Sequence, residues 1–170
     1  MSEEMKLLIK SSPQIHSRQS TSKIMWIVVL SLIPSGIWGV YAFGLRSLVV
    51  LVASILAACV AEYLMGKLTS KNTLSDGSAF LTGLLVGFNM PPAVPIYVAA
   101  IASIFAIVVV KWTFGGLGAN WMNPALAGRV FVFFSWTGSM GRWTMPKMIT
   151  DTVSGASPLG FIKTGLLSFE

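Results

Sequence analysis

The sequence predicts an all-α integral membrane protein, a multi-span helical bundle interrupted by short or broken half-helices. Three observations predict it. Of its 170 residues, 54% are hydrophobic and only 11% charged, against about 25% charged in soluble domains. The mean hydropathy is +0.75. The apolar residues also gather into runs separated by short polar or glycine-rich breaks, and most of the Lys and Arg fall in the breaks.

The net charge of +6 is the ordinary consequence of cations flanking membrane spans. There is no basic stripe with interleaved aromatics of the kind nucleic acids require, so nucleic-acid binding is excluded. A single cysteine, Cys59, excludes a disulfide framework and a cysteine-rich metal or iron–sulfur site. Leu56-Ala57-Ala58-Cys59 lies too deep in the second apolar run to be a lipoprotein cleavage box, and Cys59 reads as a packed thiol. No metal site and no catalytic residue are expected.

Residues 1–23 form a polar leader in which Lys6, Lys10, Arg18 and Lys23 outnumber Glu3 and Glu4. The run from Ile24 to Phe43 exceeds the 7–15 residues or so of a signal h-region and is expected to be a retained span. Pro34 should kink it, which neighbouring helices can accommodate. Gly44-Leu45-Arg46 is a tight turn, and the second span covers roughly 47–65. Glu62 lies in its last turns. An intramembrane carboxylate is a functional candidate, weighed here against an interfacial position with Lys67 close enough to pair.

After the loop from Gly66 to Asp76, residues 77–90 are apolar but short of the roughly 20 needed for a comfortable crossing, and Pro91-Pro92 closes them. Asp76 can cap this half-helix through its free amides. Residues 93–110 form an ordinary span ended by Lys111 and Trp112, with Trp112 suited to the interface. The stretch Phe114-Gly115-Gly116-Leu117-Gly118-Ala119-Asn120 is glycine-rich and permits irregular backbone. Asn123 then reads as an N-cap with Pro124 at the first helical position. The helix it opens, about 124–136, is short and carries Arg129.

Two interrupted segments, one opening a helix N-terminus beside amide side chains, point to a binding site near the bilayer midplane. Asn120, Asn123 and Arg129 are its candidate polar lining, for a bound ligand or for an ion path. Arg129 in an apolar helix demands an anionic or carbonyl partner. The basic leader, Lys67 and Lys71 place the N-terminus in the cytoplasm. Five crossings, which Lys111 favours, or three with both short helices re-entrant, put residues 137–170 outside; only a mixed case, with one short helix crossing and the other re-entrant, would put them in the cytoplasm.

That last segment holds Asp151-Thr152-Val153-Ser154-Gly155-Ala156-Ser157. The pattern resembles the acceptor site for covalent FMN in bacterial respiratory flavoproteins, where a flavin transferase esterifies the last hydroxyl, here Ser157. Asp151, Ser154, Gly155 and Ala156 would be the transferase's recognition elements. Together with Ser11-Ser12-Pro13 and His16, Asp76-Gly77-Ser78-Ala79, Thr82-Gly83-Leu84-Leu85, Pro91-Pro92 and the block from Phe114 to Arg129, it makes nearly the whole chain resemble one family. That family comprises RnfD of the Rnf electron-transport complex and the related NqrB of the sodium-translocating NADH:quinone reductase. The short leader favours the Rnf branch.

The resemblance implies a helical fold similar to urea transporters in the bacterial or archaeal cytoplasmic membrane. It implies covalent FMN on the external side and, in some members, a second non-covalent flavin such as riboflavin. It further implies electron relay among Rnf membrane and peripheral subunits, coupled to Na+ or H+ transport in a ferredoxin:NAD oxidoreductase. Two departures stand out. The acceptor is serine rather than the usual threonine, and the chain has about half the family's length, as expected of the N-terminal half of a longer protein. A permease or channel half without redox chemistry is the rival expectation; it has no use for an acceptor hydroxyl.

Overall fold

The computed structural model describes residues 20–70, 73–142, 144 and 146. Among them every regular element is helical: α1 (Thr21–Phe43), α2 (Leu45–Thr69), α3 (Ser78–Phe88), α4 (Ile96–Phe105), α5 (Pro124–Ser135) and the short α6 (Thr137–Met140). A 3₁₀ turn, Leu74–Asp76, precedes α3, and α4 continues without a break into a π-helical stretch, Ala106–Trp112.

The helices α1 and α2 are each long and apolar enough to cross a bilayer, with mean hydropathies of 1.8 and 2.4. A single residue separates them. Gly44 adopts φ 85°, a conformation that costs glycine nothing and other residues strain. The turn predicted over three residues is therefore one residue, and α2 outruns its expected 47–65 at both ends. Pro34 lies within α1, which runs unbroken through it.

Contacts between elements fix alternating directions. Ser22 Oγ donates to Ser75 O at 3.1 Å, and Trp26 packs on Phe80, so α1 begins beside the start of α3. At the other end Arg46, opening α2, reaches Ala93 O beyond α3. Tyr97, opening α4, meets Trp136 at the end of α5 with ring centroids 6.2 Å apart. Chain direction thus reverses at each of the five main helices. The helix α3 is only about 16 Å long at 1.5 Å per residue; its 3₁₀ entry and the Pro91-Pro92 exit carry the pass along the rest of α2.

Small residues bring α2 and α3 together. Gly83 and Gly87 stand one turn apart, and a Cβ on them would meet Ile55 Cα at 2.7 Å and Leu51 Cα at 3.0 Å. This is the small-xxx-small spacing that lets membrane helices approach closely. Gly128 does the same for α5, since its Cβ would fall 2.5 Å from Ala102 O of α4. The core between them is lined by Val50, Val86, Val94, Val98, Ala102 and Val132. Outside, Leu30, Ile37, Trp38 and Tyr41 of α1 and Phe134 of α5 are more than 60% exposed. Apolar surface of this extent would aggregate in water and suits the outer face of a membrane bundle, as do the two apolar helices long enough to cross one.

Candidate functional site

The most polar feature of the interior lies where α2 ends, α3 begins and α4 passes into its π stretch. Glu62 of α2 is fully buried and Lys111 is 2% exposed. Lys111 Nζ donates to Glu62 Oε1 at 2.7 Å and to Ser78 Oγ at 2.7 Å. Trp112 Nε1 donates to Glu62 Oε2 at 3.0 Å, and Thr73 Oγ1 donates to Glu62 Oε1. Ser78 Oγ in turn donates to Asp76 Oδ1 at 2.6 Å, and the same oxygen accepts the Ser78 amide at 3.0 Å. Three segments are thereby tied through one ion pair whose carboxylate has a donor on each oxygen. That degree of satisfaction is what allows buried charges to persist.

Local structure makes the junction possible. Gly77, at φ 75°, is the N-cap of α3 and turns the chain from the 3₁₀ turn so that the Asp76 carboxylate, one residue earlier, accepts from one helix amide, that of Ser78. The π stretch is wider than an α-helix and shifts the facing of the residues it contains; such stretches are rare and cluster at functional sites. Lys111 and Trp112, its last two residues, both turn to Glu62.

Two cavities adjoin the pair. One, of about 330 Å³, is bounded by Glu62, Tyr63, Lys67, Ser70 and Thr73. The other, of about 440 Å³, is bounded by Ser78, Thr82, Lys111, Asn120, Trp121 and Asn123 among others. Both lie within the range of small-ligand sites. Glu62 walls the first and Lys111 the second, so the ion pair is the partition between them.

The sequence-predicted residues divide around this site. Asn123 caps α5 as expected, its Oδ1 accepting from Ala125 N at 2.9 Å and Leu126 N at 3.4 Å, and it borders the larger cavity. Asn120 borders it too, and its Oδ1 is buried with no hydrogen-bond partner among the described residues. Arg129 is not among the cavity's lining residues. Its Nη1 donates to Asn89 Oδ1 at 2.9 Å, where Asn89 caps the end of α3. The carbonyl partner it required is a side-chain amide. Asp151, Ser154, Gly155, Ala156 and Ser157 lie outside the described residues.

The reading of one residue changes. Glu62 pairs with Lys111, not with Lys67, which is exposed on α2. Lys111 and Trp112, which end the fourth apolar run, both donate to the Glu62 carboxylate. The partnership spans 49 positions. The signal that could have found it is the rule that ionisable residues within a membrane pair with one another, applied to the acid and the base nearest the ends of two apolar runs. Ser78 and Thr82, on the same cavity, carried no charge to draw attention.

The family model for the "NQR2, RnfD, RnfE family" matches residues 8–170. The chain is 45% identical over 157 residues to the D component of the proton-translocating ferredoxin:NAD(+) oxidoreductase complex of Clostridium ljungdahlii, covering 91% of this chain and 47% of that one. It is 40% identical over 163 residues to the D component of the Na(+)-translocating ferredoxin:NAD(+) oxidoreductase complex of Acetobacterium woodii, covering 95% and 51%. The D component of an ion-translocating oxidoreductase complex from Cronobacter sakazakii is 39% identical over 150 residues, 86% of this chain and 43% of the relative. The chain spans about half the length of the curated relatives it matches.

Proposed function

We infer from one premise, that this chain belongs to the NQR2, RnfD, RnfE family, that it is the flavin-carrying membrane portion of an ion-translocating ferredoxin:NAD oxidoreductase. In this reading it relays electrons through FMN esterified to Ser157, in concert with the other subunits of an Rnf complex. The observation that carries it is the extent of the family match, which runs through the motif Asp151 to Ser157 as well as the Gly/Asn/Pro/Arg block.

The fit to covalent FMN is one of donor chemistry. Ser157 Oγ can form the phosphoester that the family's threonine forms, with loss of one water, and Gly155-Ala156 leave the backbone slim enough to enter a flavin transferase. When bound, the flavin supplies the electron transfer, and the protein positions it and tunes its surroundings. Five alternating passes with a cytoplasmic leader would bring the acceptor segment outside the cell.

The larger cavity supports a second, non-covalent flavin. It offers the Asn120 Oδ1, which has no partner among the described residues, the Asn123 side chain, the Thr82 hydroxyl and the Lys111 ammonium, a small set of polar groups in an apolar wall of the kind that orients a planar ligand. Arg129, bonded to Asn89, then holds α5 to the end of α3 rather than the ligand. A scaffold similar to the urea transporters, the lipid bilayer as its solvent, and a monovalent cation as coupling ion complete the proposal.

The test is an intact mass of the denatured protein from its native host, followed by peptide mapping. A gain of FMN less one water on the peptide holding Ser157 is expected. An unmodified protein from a host with an active flavin transferase would overturn the covalent site and favour a permease.

A further inference from the structure

Lys111 carries three N–H donors, and two are used, on Glu62 and Ser78. Among the described residues the third has no partner, although the side chain is 2% exposed and borders the 440 Å³ cavity. Asn120 borders the same cavity with a buried acceptor that is equally unused. One spare donor and one spare acceptor on one cavity suit a ligand that itself offers both an acceptor and a donor, as the carbonyls and N–H of a cyclic imide such as a flavin's do. A buried group left unpaired is costly, so both positions favour an occupant that satisfies them.

We propose that the Lys111 ammonium is shared between Glu62 and a flavin-type ring in the larger cavity, and that Glu62 is a positioning residue that sets how much positive charge the ring meets. This rests on the reading of that cavity as a non-covalent flavin site. With Glu62 ionised the pair presents little net charge to the ring. With that charge removed, Lys111 faces the ring uncompensated, in surroundings where water screens it weakly. An electron-rich ring is then bound more tightly relative to an electron-poor one.

Among the described residues the charged and titratable groups around Glu62 are few. Lys67 and Tyr63 border the smaller cavity on the other side, Cys59 lies one turn back on α2, and Asp76 reaches Lys111 only through the Ser78 hydroxyl. None of them duplicates Lys111, which links the larger cavity directly to the Glu62 carboxylate.

The experiment uses the full-length protein in its purified complex, with riboflavin as probe. Non-covalent flavin is quantified after extraction, and the midpoint potential of the bound flavin is followed optically in the native complex, in Glu62→Gln and in the double variant Glu62→Gln/Lys111→Met. The double variant removes both charges at once and keeps the test open if a single change at Lys111 prevents folding. Glu62→Gln is expected to retain the flavin and raise its potential, by about tenfold in the ratio of reduced to oxidised binding. The double variant is expected to reverse that shift and bind riboflavin about tenfold more weakly, as for loss of one charge-assisted hydrogen bond. An unchanged potential in both variants, with flavin in place, overturns the sharing of Lys111. No extractable non-covalent flavin in the native complex overturns the cavity reading itself, before any variant is made.

Discussion

The Lys111 ammonium stands 2.7 Å from the Glu62 carboxylate inside a bundle whose outer surface is apolar, and neither side chain reaches solvent to any useful extent. A pair so placed is a liability when half of it is lost, because the survivor keeps its charge without its partner. Losing both members together is far milder.

Glu62→Ala and Lys111→Ala should therefore each destabilise the bundle by about 3–5 kcal/mol. The paired change to Gln and Met should lie close to the native value. Thermal unfolding in detergent, followed by fluorescence-detected size exclusion, checks this; single and double variants of equal stability would show that the charges are solvated after all.

Helix spacing gives a sharper expectation. A methyl group at Gly128 would stand 2.5 Å from Ala102 O, and one at Gly83 2.7 Å from Ile55 Cα, against backbone that cannot swing aside. Gly128→Ala and Gly83→Ala should cost about 1–3 kcal/mol each by forcing helices apart. Gly39→Ala has nothing within 4 Å of its new methyl and should be neutral or slightly stabilising, since alanine favours helix over glycine. The same unfolding assay ranks the three.

Asn123→Ala removes the side-chain acceptor of two first-turn amides of α5 and should cost about 1 kcal/mol. Asn123→Asp keeps an acceptor there and should recover most of it. Non-covalent flavin content, measured alongside, separates loss of the cap from loss of a ligand contact.

In the proposed acceptor segment, Ser157→Ala should abolish covalent flavin without altering the unfolding temperature, and Ser157→Thr should keep it. In-gel flavin fluorescence reads both outcomes. Covalent flavin that survives in the alanine variant would move the attachment point elsewhere.

Much of this architecture was legible in one dimension because its causes are local. Runs of apolar residues partition into a bilayer wherever their neighbours lie, so the succession of long and short helices follows from hydropathy. Asn123 before Pro124, Asp76 before α3 and Gly44 between two apolar runs act on amides and dihedrals within a few residues. Their roles survive any tertiary arrangement.

What the sequence by itself determined, then, is a set of apolar helices of uneven length, with one capped helix start beside two amides, and a family pattern. Tertiary packing alone decided that Glu62 and Lys111 meet and that Asn120 and Lys111 face one cavity while Arg129 faces Asn89. These depend on Gly83, Gly87 and Gly128 letting backbones approach, and on a π stretch that redirects two side chains across 49 positions of chain. Electrostatic pairing in a low-dielectric interior is set by separation in space, and a linear sequence does not contain that distance.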